Sequence, residues 1–86
     1  MSFLDIAFAQ LAALPKADRE HILNFLHLRL KPLPDPRQYG KMLEREFEGL
    51  WRYRVNDYRI ICTIDDATSH VQVVRVGHRY DVYRPG

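Results

Sequence analysis

The run Trp51-Arg52-Tyr53-Arg54-Val55-Asn56-Asp57-Tyr58-Arg59 constrains the fold of this chain more than any other segment. Trp51, Tyr53 and Val55 alternate with Arg52 and Arg54, so a strand here puts apolar groups on one face and cations on the other. Asn56-Asp57 is a two-residue turn of the kind that closes a tight hairpin. With Val55 paired to Tyr58, Arg54 lies directly opposite Arg59, and Arg52 follows two residues along on the same face. Like charges so placed destabilise a hairpin by a few tenths to about 1 kcal/mol. A sheet selected for stability alone avoids that arrangement. An anion bound at this face relieves the repulsion, and an RNA phosphate fits the requirement.

The period of the apolar residues changes from 3.6 to 2 near Leu50. Strands are expected over Leu50–Val55, Tyr58–Ile64 and Val71–Val76, joined by the Asn-Asp turn and by Asp65–His70. Before them, Ile6, Phe8, Leu11 and Leu14 among alanines predict a short helix over Asp5–Leu14, broken by Pro15 and Lys16. A second helix opens near Ala17, where Asp18 and Glu20 suit its positive end. Ile22, Leu23, Leu26 and Leu30 recur at helical spacing and bury one face. It stops before Lys31-Pro32, because a proline disfavours helical geometry in the preceding residue. Pro32, Pro34 and Pro36 make a stiff connector, and Arg37–Leu43 has room for one irregular helical turn. The tail, Gly77–Arg84, is expected to run extended or to loop back along the sheet edge. The class is α+β: a helical hairpin packed on a three- to four-stranded, mainly antiparallel sheet, with residues 1–86 as one domain.

Eighty-six residues suit one modest core, and 47% hydrophobic with 28% charged residues is ordinary for a globular protein. The net charge is only +2, so a nucleic-acid role must come from local clustering. One cysteine, Cys62, rules out an internal disulfide and fits a reducing compartment. No apolar run approaches the ~20 residues of a membrane helix. Ala7-Phe8-Ala9 mimics a signal-peptidase site, but Asp5 interrupts the apolar stretch and no basic segment precedes it. A cytoplasmic protein is expected.

The stretches GLWRYRVNDYRIICTID and VVRVGHRYDVYR, preceded by DPRQYGKMLEREFEGLW, resemble the signature of the RelE/ParE superfamily of bacterial toxin–antitoxin toxins, on its RelE side. The resemblance spans about residues 14 to 84. It implies a ribosome-dependent endonuclease that cuts mRNA in the ribosomal A site, works without a cofactor, and is neutralised by a RelB-like antitoxin wrapped round it. Residue by residue, it places Arg52 and Arg54 where the family carries basic residues on the second strand. Arg59 matches the arginine that contacts the scissile phosphate, and Arg79 the one proposed as phosphate ligand or general acid. Tyr83 matches the tyrosine that stacks on or orients the nucleotide.

The chain departs from the family pattern in three places. Some members carry lysines at Arg52 and Arg54; lysine loses its proton when desolvated and arginine does not, so a lysine general base does not transfer. The usual glycine of the hairpin turn is Asn56, which tolerates left-handed geometry. The usual first strand is reduced to Met1–Leu4, so it is expected to be short or missing.

RNA cleavage by 2′-OH attack needs in-line orientation, stabilisation of the phosphorane charge, a base and a leaving-group acid. Arg52, Arg54, Arg59 and Arg79 supply the electrostatic part, since arginine forks hold phosphate oxygens bidentately. The histidine–carboxylate pair of a free-standing ribonuclease is absent. His78 stands beside the motif and could serve as acid or base, although a structural hydrogen bond suits its position better. Other residues read as structural. Arg75 is expected to pair with an acid, Tyr53, Tyr58 and Trp51 to pack, and Cys62 to be a buried thiol. Asp65-Asp66 reads as a turn, and His21, His27 and His70 lack metal-ligand spacing.

Two other functions compete with mRNA cleavage. A ParE-like gyrase inhibitor shares the fold and acts by protein binding, without an arginine–tyrosine site. An inactive, degenerate toxin retains only antitoxin binding. The expected partners are the antitoxin, the ribosome with its mRNA, and a second copy when the chain is free.

Overall fold

The computed structural model describes residues 1–83, so the last position of the expected tail, Arg84, lies outside the described residues. The chain begins with β1 (Ser2–Phe3), α1 (Asp5–Ala12) and α2 (Lys16–Asn24), whose helical path widens over Phe25–Leu30. A turn at Pro36–Gln38, β2 (Lys41–Met42) and a turn at Arg45–Phe47 lead into β3 (Trp51–Val55), β4 (Tyr58–Asp65) and β5 (His70–His78). The sheet runs β1-β5-β4-β3-β2. β1 is parallel to β5, and every other pair is antiparallel.

The α+β class and the helical hairpin are as expected, but the sheet has five strands rather than three or four. The first strand is present, pairing Ser2 with Gln72 and Phe3 with Val73. The other addition, β2, falls where an irregular turn was expected. Gly40 makes it possible: it takes φ 83°, and a Cβ there would overlap the carbonyl oxygen of Arg52.

Only some of the apolar residues that reveal α1 are ones it buries. Ile6 and Phe8 stand 57% and 64% exposed, whereas Ala7 and Leu11 are buried. Ala7, Gln10, Leu11 and Leu14 share a helical face, and Gln10 uses it to accept the backbone N–H of Val76 at 2.8 Å. Arg19 reaches back from α2 to the carbonyls of Ala12 and Leu14, at 3.3 and 3.4 Å, and so occupies acceptors that the end of α1 leaves free. The last turn of the second helix is wider than α, with Lys31 N–H bonded to Leu26 O at 2.9 Å. Ile22, Leu26 and Leu30 nevertheless point into the core together.

They meet Tyr53, Ile60, Cys62, Val71, Val73 and Val76 from the sheet. Val73 and Val76 are three apart, which strict alternation forbids on one face. An irregularity opposite Ile61 and Cys62, where Arg75 and Val73 are the successive partners, inserts one residue and resets the phase.

The opposite face, which carries the arginines, is partly covered. Ile61 and Val82 are each 3% exposed there. The tail does not follow the sheet edge. Its N–H groups at Asp81 and Val82 both bond to His78 O, at 2.8 and 2.9 Å, turning the chain under the sheet. Gly77 leaves the space that Val82 fills: a Cβ at Gly77 would stand 3.3 Å from that of Val82. Arg75 secures the turn by donating to Val82 O at 2.8 Å. The physical reason is the apolar pair Ile61 and Val74 on this face, which line a small recess with Val82, Phe47 and Tyr83.

Candidate functional site

The β3–β4 hairpin has the register read from the sequence: Val55 pairs with Tyr58, Arg54 with Arg59, and Arg52 with Ile61. Asn56 takes φ 53° in the turn. On the other side of β4, Gly77 pairs with Arg59. Arg79 therefore leaves the end of β5 beside the hairpin tip, and four arginines gather at one end of one face.

Arg59 is their centre. It is only 8% exposed, and its Nη1 donates to the carbonyls of Asn56 and Tyr58 at 3.2 and 3.0 Å. Burial lowers its pKa, and Arg54, Arg52 and Arg79 push the same way by repulsion, while Tyr83 opposes them. The guanidinium stays charged regardless. Among the described residues the ion pairs are Lys16–Glu20, Arg37–Asp66 and Arg79–Asp57. Arg52, Arg54 and Arg59 thus have no carboxylate partner there.

Two buried side-chain polar atoms among the described residues lack a hydrogen-bond partner, Arg52 Nε and Tyr83 Oη. A buried polar group left unpaired costs about 1–3 kcal/mol. Both belong to residues of this face. The Tyr83 ring is held by Phe47, with centroids 5.5 Å apart and planes at 60°.

Arg79 is held more loosely at the rim. Its Nε lies 3.8 Å from Asp57 Oδ1, its Nη2 donates to Tyr80 Oη at 2.7 Å, and its Cζ sits 4.7 Å from the Tyr80 ring centre. His78 shares the face of its strand partner Tyr58, opposite the arginines. Its ring lies edge-on to Tyr58 at 5.9 Å and beside Tyr80 at 5.1 Å. Its Nδ1 accepts the N–H of Tyr80 at 3.3 Å, which leaves the proton of the neutral ring on Nε2.

The remaining polar residues support the frame. Tyr53, fully buried, donates to Pro36 O at 2.7 Å. Tyr58 donates to Asp18 at 3.0 Å, and that bond raises its pKa. Trp51 Nε1 donates to Tyr39 O at 2.8 Å, with Arg37 over its ring at 4.8 Å. Burial pushes the Cys62 thiol up to about 12. Asp65 closes its turn onto Ala67 N–H, and Asp66 pairs with Arg37. No trio of His, Cys, Asp or Glu among the described residues could hold a metal.

Sequence reasoning did not single out Asp57, Tyr80 or Phe47. The signal for Asp57 was available: in an antiparallel sheet, the tip of β3–β4 and the end of β5 are neighbours. A groove of about 700 Å³ between α2 and the β3 edge shares Arg52 and Arg54 with this cluster, with Phe25, Leu28 and Tyr39 among its apolar walls and Arg29 and Lys41 at hand. β2 covers only Trp51 and Arg52 of that edge.

A family model described as the ParE toxin of the type II toxin–antitoxin system parDE matches residues 2–83. Toxin RelG of Mycobacterium tuberculosis is 42% identical over 50 residues, which is 58% of each chain. Toxin RelE of the same organism is 36% identical over 52 residues, 60% of this chain and 54% of its own. These matches span little more than half the length of either curated relative. The crystal structure of the toxin–antitoxin complex RelBE2 from Mycobacterium tuberculosis superposes with a TM-score of 0.81 at 32% identity, covering 93% of this chain and 90% of that one. An archaeal RelE–RelB complex from Pyrococcus horikoshii gives 0.69 at 25% identity, with 94% of both chains covered.

Proposed function

The chain belongs to the ParE toxin family of type II toxin–antitoxin systems, and we propose that it acts there as a ribosome-dependent endoribonuclease that stops translation. The observation that carries this reading is the arginine face itself. Three arginines without a carboxylate partner among the described residues, together with the unpaired Arg52 Nε and Tyr83 Oη, make a site that an anion would complete. A phosphodiester supplies the charge and several acceptor oxygens.

In the proposed reaction the 2′-OH of the substrate attacks its own phosphorus, forming a 2′,3′-cyclic phosphate as the bond to the 5′-oxygen of the next nucleotide breaks. The 2′-OH proton passes to water, and the departing 5′-oxygen takes one from water. Arg59, with Arg52 and Arg54, holds the phosphate and stabilises the charge that develops on it. Arg79 reaches in from the rim as a phosphate ligand, and Tyr83 orients the nucleotide. His78 holds Tyr80 on the other face and supplies no base to the cluster. In this reading the in-line geometry comes from the ribosome, and the substrate is mRNA bound to it in the cytoplasm. Purified protein should cut mRNA on programmed ribosomes, and Arg59→Ala should not. Cutting of naked RNA at the rate of the ribosome reaction would refute the dependence.

The partner in this reading is a RelB-like antitoxin, as in the complexes of the structural relatives. The groove beside α2 suits an amphipathic segment, the uncovered part of β3 suits an added strand, and acidic side chains would neutralise the arginines.

The name of the matching family favours one other reading, a gyrase inhibitor of the ParE kind. Pulse labelling after induced expression separates the two. Protein synthesis fails first for a ribosome-dependent nuclease, and DNA synthesis first for a gyrase inhibitor.

A further inference from the structure

We infer that Asp57 is a positioning residue for Arg79, fixing that guanidinium at the rim of the arginine cluster in the orientation the scissile phosphate requires. The inference rests on the endoribonuclease reading. Two contacts join the hairpin tip to the start of the tail. The Arg79 N–H donates to Asp57 O at 2.8 Å, and the Asp57 carboxylate lies 3.8 Å from Arg79 Nε.

Tyr80 grips the far end of the same guanidinium. Its hydroxyl accepts from Nη2 at 2.7 Å and its ring lies under Cζ at 4.7 Å. Tyr80 is itself braced, because His78 Nδ1 accepts its N–H and the His78 ring packs beside it. A guanidinium has five N–H donors in a fixed fork. Asp57 engages its Nε side and Tyr80 its Nη2, and no described residue bonds to Nη1. That end is left for a phosphate oxygen.

Repulsion makes the restraint necessary. Arg52, Arg54 and Arg59 all carry the same charge as Arg79, and a long exposed side chain beside them moves outward unless something holds it. Among the described residues Asp57 is the one carboxylate in an ion pair with any of the four. It is largely exposed, with its side chain 65% accessible, so replacing it opens no core.

A positioning role predicts a particular kinetic signature. Asp57→Asn keeps a good turn residue and removes one negative charge beside a polyanion site. Substrate binding should stay the same or tighten, while kcat should fall about tenfold or more, since misplacement of a reacting group by 1 Å costs up to about a hundredfold. The loss should be absent from an Arg79→Ala background, and Asp57→Glu should restore part of it. The Arg79 Nε–Hε resonance should move in Asp57→Asn, at unchanged melting temperature.

The experiment measures kcat and KM on programmed ribosomes for these variants, and the arginine side-chain resonances of the free proteins. A wild-type kcat in Asp57→Asn, full additivity with Arg79→Ala, or equal loss in both parameters with a lowered melting temperature overturns the inference. If the wild-type protein itself does not cut on ribosomes, the endoribonuclease reading has failed. The resonance of Arg79 then decides alone whether Asp57 holds it, and an unmoved resonance rejects that.

Discussion

Arg54 and Arg59 stand directly opposite each other in the β3–β4 hairpin, yet only Arg54 is exposed. The two substitutions should therefore differ. Arg54→Ala removes repulsion at no packing cost and should raise stability by a few tenths to about 1 kcal/mol. Arg59→Ala also relieves repulsion, but it strips the Asn56 and Tyr58 carbonyls of a charged donor and empties a buried site. It should lower stability by about 1–2 kcal/mol and abolish toxicity. Urea unfolding of both variants, with growth after induction, checks the contrast. Equal shifts of the same sign would mean that the buried hydrogen bonds carry no weight.

The same cluster should respond to anions. Inorganic phosphate should raise the melting temperature of the protein, with a stabilisation of about 2.7 kcal/mol at a hundredfold excess over Kd that keeps growing with the logarithm of concentration. Arg52→Ala and Tyr83→Phe should each reduce the effect, because they remove the unpaired Nε and Oη. Sodium chloride at matched ionic strength controls for screening. A wild type indifferent to phosphate would show that the face does not select an anion.

Alkali should destabilise the fold before the tyrosines alone can. The Cys62 thiol titrates near 9.0 when free and is pushed up to about 12 by burial. A folded pKa above the unfolded one means that stability is full below 9.0 and falls as pH rises toward 12. Tyr58 and Tyr53 are shifted in the same direction, Tyr58 chiefly by its bond to Asp18 and Tyr53 by burial, from an ordinary 10.0. Cys62→Ala should flatten the alkaline limb between 9.0 and 10.0 and reduce its slope from there toward 12, where the tyrosines also contribute. Denaturant midpoints across that range decide it.

Gly40 is the position where one methyl group should remove a strand. At φ 83° an alanine is strained, and its Cβ would overlap the Arg52 carbonyl. Gly40→Ala should cost about 1–3 kcal/mol. It should also speed amide exchange at Lys41, whose strand partner is Arg52. Unchanged protection there would show that β2 does not depend on the glycine.

The hairpin was legible because alternation and a two-residue turn leave one register, and Arg54 opposite Arg59 follows from it. Both helices were legible as elements, and the second in orientation too, since Ile22, Leu26 and Leu30 are buried as their spacing predicts, but the orientation of α1 was not. Ala7 carries no hydrophobic signal comparable to Ile6 or Phe8, yet its small size lets α1 approach the sheet. β1 and β2 are two residues each, too short for any periodicity to register. The burial of Arg59 was hidden because alternation assigns a face and says nothing about what covers it. Here the cover is a tail whose path depends on a vacancy at Gly77 and a bond from Arg75. Asp57 was hidden for a related reason: its role depends on a strand end twenty-odd residues later in the chain.

The parallel pairing of Ser2 and Phe3 with Gln72 and Val73 sets an order of assembly. Hairpins β3–β4 and β4–β5 close over short loops, whereas β1 must wait for residues some seventy positions further on. Loop closure of that length carries a larger entropic cost and slows folding. A chain emerging from the ribosome therefore builds its arginine-bearing strands late and together, and its first residues join last. Until they do, one edge of β5 is bare, and a segment made before its partner strand is stabilised only after it.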